Sequence, residues 1–140
     1  MGHLETAQTL VAVFIADYLT VNLAADQKYL EARWSRPVNS EEFRQGWEAI
    51  THKISEHSAE LLLLDFRLTS TPSITDQNWL VERVMAANKN TPLRRSARLF
   101  SKDILQNIIH EIVTDKIELF PYGYQVFWAE ASAKQWLFED

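Results

Sequence analysis

The run Leu61-Leu62-Leu63-Leu64-Asp65-Phe66 limits the folds open to this chain more than any other stretch. Four consecutive leucines leave no polar face, so a strand formed there needs apolar cover on both sides. That is the condition of a parallel sheet with helices packed on it. The run therefore predicts a central strand, and Asp65 marks where its burial gives out. The loop behind it carries Thr69, Ser70, Thr71, Ser73 and Thr75 toward a helix start, where open α/β sheets set their working residues.

The flanking patterns extend this reading in both directions. Thr9 to Ile15 is rich in β-branched residues and reads as extended, although a short helix is also compatible. Tyr18, Thr20 and Asn22 alternate with Leu19, Val21 and Leu23, Ala24 to Gln27 supplies a turn, and Tyr29 to Trp34 alternates again. This predicts a β-hairpin whose second strand ends before Pro37, which has no amide to donate. Asn39 and Glu42 have capping-box spacing and predict a helix from Ser40 to about Ser58, with Phe43, Gly46, Trp47, Ile50, Ile54 and His57 on its apolar stripe.

Ser73 and Asp76 repeat the capping spacing and open a second helix, to near Asn88, with Gln77, Leu80, Val81, Val84 and Met85 inward and Trp79 off the stripe. Asn88 to Pro92 is a turn cluster. Arg94 to Phe100 follows as a strand with Ala97 and Leu99 on one side and Arg94, Ser96 and Arg98 on the other. Ser101 caps a third helix lined by Ile104, Leu105, Ile108, Ile112 and Val113, and a short strand is expected from Ile117 to Phe120. After the break at Pro121-Tyr122-Gly123, Tyr124 to Trp128 reads as extended, and a last helix carries Ala129, Ala133, Trp136 and Leu137. The expected architecture is one α/β domain over residues 1–140, with a mixed sheet that opens on an antiparallel hairpin and continues in alternating helices and strands, about four helices in all.

Composition removes several functions. At 140 residues the chain is long enough to bury a core without staples, and having no cysteine it has no disulfides, thiolate zinc sites, iron-sulfur clusters or cysteine nucleophile. Fourteen basic residues against 19 acidic ones give a net charge of -5, which argues against nucleic acid as a partner. No apolar run approaches the roughly 20 residues of a membrane span, so a cytoplasmic protein is expected. Glycines stand only at positions 2, 46 and 123, so the Rossmann and P-loop fingerprints are missing. His52 and His57 are turned apart by a helix, and His110 stands beside Glu111 without a zinc-binding frame. With no nucleophile elbow either, neither enzymatic activity nor a metal or cofactor is expected. Asp65 reads as an acceptor for amides of its own loop.

Two groups remain for binding. Arg94 and Arg98 share a strand face on which two guanidiniums can hold a phosphate or carboxylate, within a basic group that includes Lys89, Arg95 and Lys102. Trp47 and Trp136 fall on core stripes, whereas Trp34 and Trp79 lie off them and are candidates for an exposed docking patch.

Taken in order, Trp34 at the end of the second strand, Ser40-Glu41-Glu42-Phe43-Arg44 at a helix start, Leu-Leu-Leu-Leu-Asp in the central strand, Asp76 with Trp79-Leu80, Ala97 in the Arg-rich strand, and Phe127 with Ala133 to Trp136-Leu137 resemble the STAS/SpoIIAA-like proteins of bacteria, over roughly Tyr18 to Phe138. The resemblance implies a noncatalytic regulatory module that binds another protein, such as a regulator or kinase, and a relation to lipid-carrying SEC14-like domains. Antagonists of this kind carry a phosphorylatable serine in an Asp-Ser-Ser-Gly turn. Ser73-Ile74-Thr75-Asp76 occupies its place, which puts Thr75 at the regulated hydroxyl. Both the Asp and the Gly of that turn are replaced, and Asp76 would repel a phosphate beside it. The resemblance thus points to Ser73, Thr75, Asp76 and Trp79 as an interaction or phospho-switch surface. The alternative is a small-molecule or lipid carrier with an anionic head near Arg94 and Arg98, and a homodimer through an edge of the opening hairpin fits the pattern as well.

Overall fold

The computed structural model describes residues 9–70, 72–87, 90–101 and 121–139. Six strands form one sheet in sequence order: β1 (Val11–Ala16), β2 (Leu19–Ala24), β3 (Tyr29–Trp34), β4 (Leu61–Asp65), β5 (Arg95–Leu99) and β6 (Gly123–Phe127). The first three pair antiparallel, and β3 through β6 run parallel. Three helices accompany them among the described residues: α1 (Ser40–Glu56), α2 (Ile74–Ala87) and α3 (Glu130–Leu137). The helix expected after Ser101 and the strand expected at Ile117 to Phe120 lie outside the described residues, so of about four expected helices three are described.

β4 sits between β3 and β5, parallel to both, and all five of its residues are buried. Period-two alternation sends Leu62 and Leu64 to the face shared with Phe43, Trp47, Ile50 and Leu80 of α1 and α2. Leu61 and Leu63 go to the opposite face, which Ala133 and Leu137 of α3 cover. Full burial of a leucine side chain is worth about 1.5–3 kcal/mol, so this strand is a principal source of the fold's stability.

Local signals place the elements as their residues dictate. The hairpin turn is a short 3-10 segment, Ala25–Gln27, closed by Lys28 in the left-handed conformation at φ 52°. The Lys28 carbonyl then accepts the amides of Glu60 and Leu61 at 2.8 and 3.1 Å, so the turn also seats the start of β4. At the head of α1 the Glu42 amide donates to Asn39 Oδ1 at 2.8 Å, and the Asn39 amide to Glu42 Oε1 at 3.1 Å. Its end is turned by Ser58, at φ 51°, after which the Ala59 amide returns to the Ile54 carbonyl at 3.0 Å.

Trp34 departs from its expected place. It is 2% exposed, with its ring 6.1 Å from those of Tyr18 and Phe43 and 6.4 Å from that of Trp47. As the last residue of β3 it alternates onto the α1 face, and Gly46 of α1 leaves the space its ring occupies. Trp34 belongs to the core and offers no docking patch.

Candidate functional site

The loops that follow β3 and β4 meet at the C-terminal edge of the parallel strands, where the Val38 amide approaches Ser70 Oγ at 3.4 Å. Ser73 caps α2: its Oγ accepts the Asp76 amide at 3.1 Å and its carbonyl accepts the Gln77 amide at 2.8 Å. The Asp76 carboxylate is buried and spans to the other helix, accepting from Ser40 Oγ at 2.6 Å and from Arg44 Nε at 3.0 Å. Burial works to raise its carboxyl, but the bonds from Ser40 and Arg44 outweigh it and hold the group below the usual carboxylate range. Asp76 is therefore the tie between two helix starts, a role invisible in its own neighbourhood of the sequence.

Ser73 and Thr75 are both exposed on this rim. Trp79 is half-buried, edge-on to Phe43 at 6.3 Å with the Arg44 guanidinium 5.4 Å over its ring, so much of it is packing. On this rim the large apolar side chains that face solvent are Leu68, 67% exposed and within the loop, and Ile74, 65% exposed at the first position of α2; Val11 and Ile15 of β1 are exposed as well, away from the rim. Sequence reasoning passed over Leu68 and Ile74. Their signal was an aliphatic residue in a hydroxyl-rich loop and another off the inward stripe at the first helical position.

On the opposite face, Asp65 pairs in register with Arg33 of β3, whose Nη1 lies 2.8 Å from Asp65 Oδ2. As its sequence context suggested, Asp65 Oδ1 accepts the Arg67 amide at 3.1 Å, and the Arg67 guanidinium adds bonds of 2.9 and 2.8 Å. Glu130 of α3 accepts from Arg33 at 2.8 Å, and Lys134 reaches the buried Glu31 at 3.0 Å. Each of the carboxylates Glu31, Asp65 and Glu130 has a cationic partner, so the cluster fastens α3 to the sheet.

Arg94 and Arg98 are not brought together. Arg94 is exposed at the start of the strand and lies 3.4 Å from Glu60. Arg98 is 3% exposed beneath α1, with ring centroids of Tyr124, Trp47 and Phe66 at 5.0, 5.6 and 5.7 Å from its guanidinium carbon. Among the described residues no carboxylate pairs with it, and its Nε has no acceptor. Burying an unpaired ion costs several kcal/mol. Three cation–π contacts return about 1–2 kcal/mol each but satisfy none of the guanidinium's in-plane donors. The side chain borders a cavity of about 220 Å³ between α1 and the sheet.

No known protein-family model matches the sequence, and no curated protein does. Among solved structures, an uncharacterized protein of the DUF3478 family with a SpoIIAA-like fold, from Shewanella loihica PV-4, is similar over 92% of each chain, with a TM-score of 0.56 and 11% identity. The fold is SpoIIAA-like. At that identity the likeness concerns the arrangement of elements and does not extend to a site.

Within the SpoIIAA-like frame, Thr75 stands at the second position of α2, exposed, one residue before the buried Asp76. No helix among the described residues is long and apolar enough to cross a membrane.

Proposed function

We propose that this chain is a noncatalytic regulatory interaction module of the STAS type, docking another protein through the rim formed by the loop after β4 and the first turn of α2. The observation that supports this most directly is the pair of solvent-facing aliphatics, Leu68 and Ile74, beside a helix start held by the Ser73 cap and the Asp76 tie. A rigid frame presenting apolar side chains loses little conformational entropy on binding, which is what a docking surface needs. Ser73 and Thr75 lie between and beside these anchors, so a phosphate on Thr75 would bring nearly two negative charges into the contact and expel the partner.

A photo-crosslinking amino acid placed at position 74 in native cells tests the reading, with the exposed position 139, beyond the end of α3, as control. A discrete crosslinked protein from position 74 alone, lost on Leu68→Asp at unchanged melting temperature, is expected. Equal crosslinking from both positions, or indifference to Leu68→Asp, would remove the rim from consideration. The carrier reading has less room for a membrane lipid: the space beside Arg98 is about 220 Å³ and the more open one beside Arg94 about 520 Å³, both suited to a molecule smaller than a two-chain lipid.

A further inference from the structure

We propose that Arg98 anchors a binding site for a small organic monocarboxylate, whose carboxylate pairs with the guanidinium while its apolar body fills the space between α1 and the β4–β5 surface. The cavity is floored by Leu62, Leu64 and Arg98 and roofed by Trp47, Ile50 and Ile54, with the loop Asn90 to Leu93 and Tyr122 at its margin. The guanidinium is nine-tenths and more buried and borders this space. Aromatic rings cover it by their faces, and among the described residues no carboxylate pairs with it and its enclosed Nε has no acceptor. A carboxylate supplies two coplanar oxygens to a guanidinium edge and thereby completes it.

Charge and size narrow the ligand. Among the described residues that line the cavity, Arg98 is the only cation and no carboxylate is present, so one negative charge is neutralised there. A phosphate dianion would leave a second charge uncompensated in an apolar enclosure, within a protein of net charge -5. An apolar cavity of about 150 Å³ accommodates benzene. By that scale about 220 Å³ takes a molecule of roughly nine or ten non-hydrogen atoms, the size of phenylacetate or octanoate. The hydroxyls of Thr51 and Ser96 also line the wall and can meet a polar substituent. This site does not depend on the docking rim, and neither proposal fails with the other.

Calorimetric titration and thermal-shift measurement with phenylacetate and octanoate test it, using 2-phenylethanol and 1-octanol as neutral matches of similar shape and inorganic phosphate as a bare anion. Saturable one-to-one binding of at least one carboxylate is expected, about tenfold or more tighter than its alcohol or phosphate. Arg98→Met should abolish that preference while melting no lower than the unsubstituted protein, because it removes a buried charge and keeps most of the volume. Ile54→Trp, which leaves Arg98 in place and narrows the cavity, should weaken carboxylate binding by a similar factor, and it decides the matter should Arg98→Met fail to fold. Absence of saturable carboxylate binding, equal affinity for alcohol or phosphate, or undiminished binding by the substituted proteins would each overturn the assignment.

Discussion

Ser40, the first residue of α1, donates its hydroxyl to Asp76 near the start of α2 at 2.6 Å, and Arg44 one turn later closes on the same carboxylate at 3.0 Å. One buried anion thus serves the amino-terminal ends of two helices, both of which carry partial positive charge. Asp76→Ala is expected to lower stability by about 2 kcal/mol, the range for hydrogen bonds to a charged group. Ser40→Ala should cost about half that. Urea unfolding of the two variants and their double mutant checks this, and additive losses would show that the residues do not interact.

Gly46 faces the Trp34 ring so closely that a Cβ on it would overlap the indole, with a further approach of 3.2 Å to Leu19. Alanine is the better helix former by about 1 kcal/mol. Because Trp34 is enclosed and cannot swing away, overpacking of about 1–3 kcal/mol outweighs that gain. Gly46→Ala should therefore lower the melting temperature, and a rise would show that the aromatic cluster is loosely packed.

Acid stability should depend on the clasp between the sheet and α3. Burial works to raise the Asp65 and Glu130 carboxyls, but Arg67 and Arg33 at the first, and Arg33 and Lys134 at the second, outweigh it and hold both below the usual range. Depressed folded-state values mean that the unfolded chain takes up protons first as pH falls. The contribution of these groups is then complete above their ordinary values near 4 and is lost as pH drops through the folded ones. Asp65→Asn should cost roughly 2 kcal/mol at neutral pH, less than a fully enclosed pair because Arg33 and Arg67 keep some water contact. It should also flatten the loss as pH falls below about 4 in circular-dichroism titrations.

The two rim hydroxyls should separate by role. Ser73→Ala removes the acceptor for the Asp76 amide and is expected to cost about 1 kcal/mol. Thr75→Ala, at an exposed position, should stay within about 0.5 kcal/mol of the parent. Thr75→Glu at unchanged stability should weaken capture of whatever protein crosslinks at position 74, and undiminished capture would separate this hydroxyl from docking.

Most of the architecture was legible because it rests on local, periodic signals. The alternation from Leu19 to Trp34 placed the hairpin, the Asn39–Glu42 box placed the start of α1 at Ser40, and the leucine run placed β4 in the middle of the sheet. The candidate sites were less legible, since partners in them lie 32 to 97 residues apart. Arg94 and Arg98 share a strand face in the sequence, yet one meets solvent and Glu60 while the other is sealed under α1. Trp34 and Trp79 looked alike off their stripes, and only their neighbours separate an enclosed ring from a half-covered one.

By itself the sequence determined most of the described strands and helices, because hydrophobic period and caps act over a few residues and are written in them; β1, for which a short helix was also compatible, needed the sheet to decide it. The sequence also settled the absence of thiol chemistry and of glycine-rich phosphate loops. The tertiary structure alone decided which charges are spent. Asp76 and Asp65 are consumed by distant arginines and a serine, whereas Arg98 is enclosed with its charge unpaired among the described residues. Burial and pairing depend on what the folded chain brings within about 4 Å, and Coulomb attraction and desolvation both follow that distance and not separation along the chain.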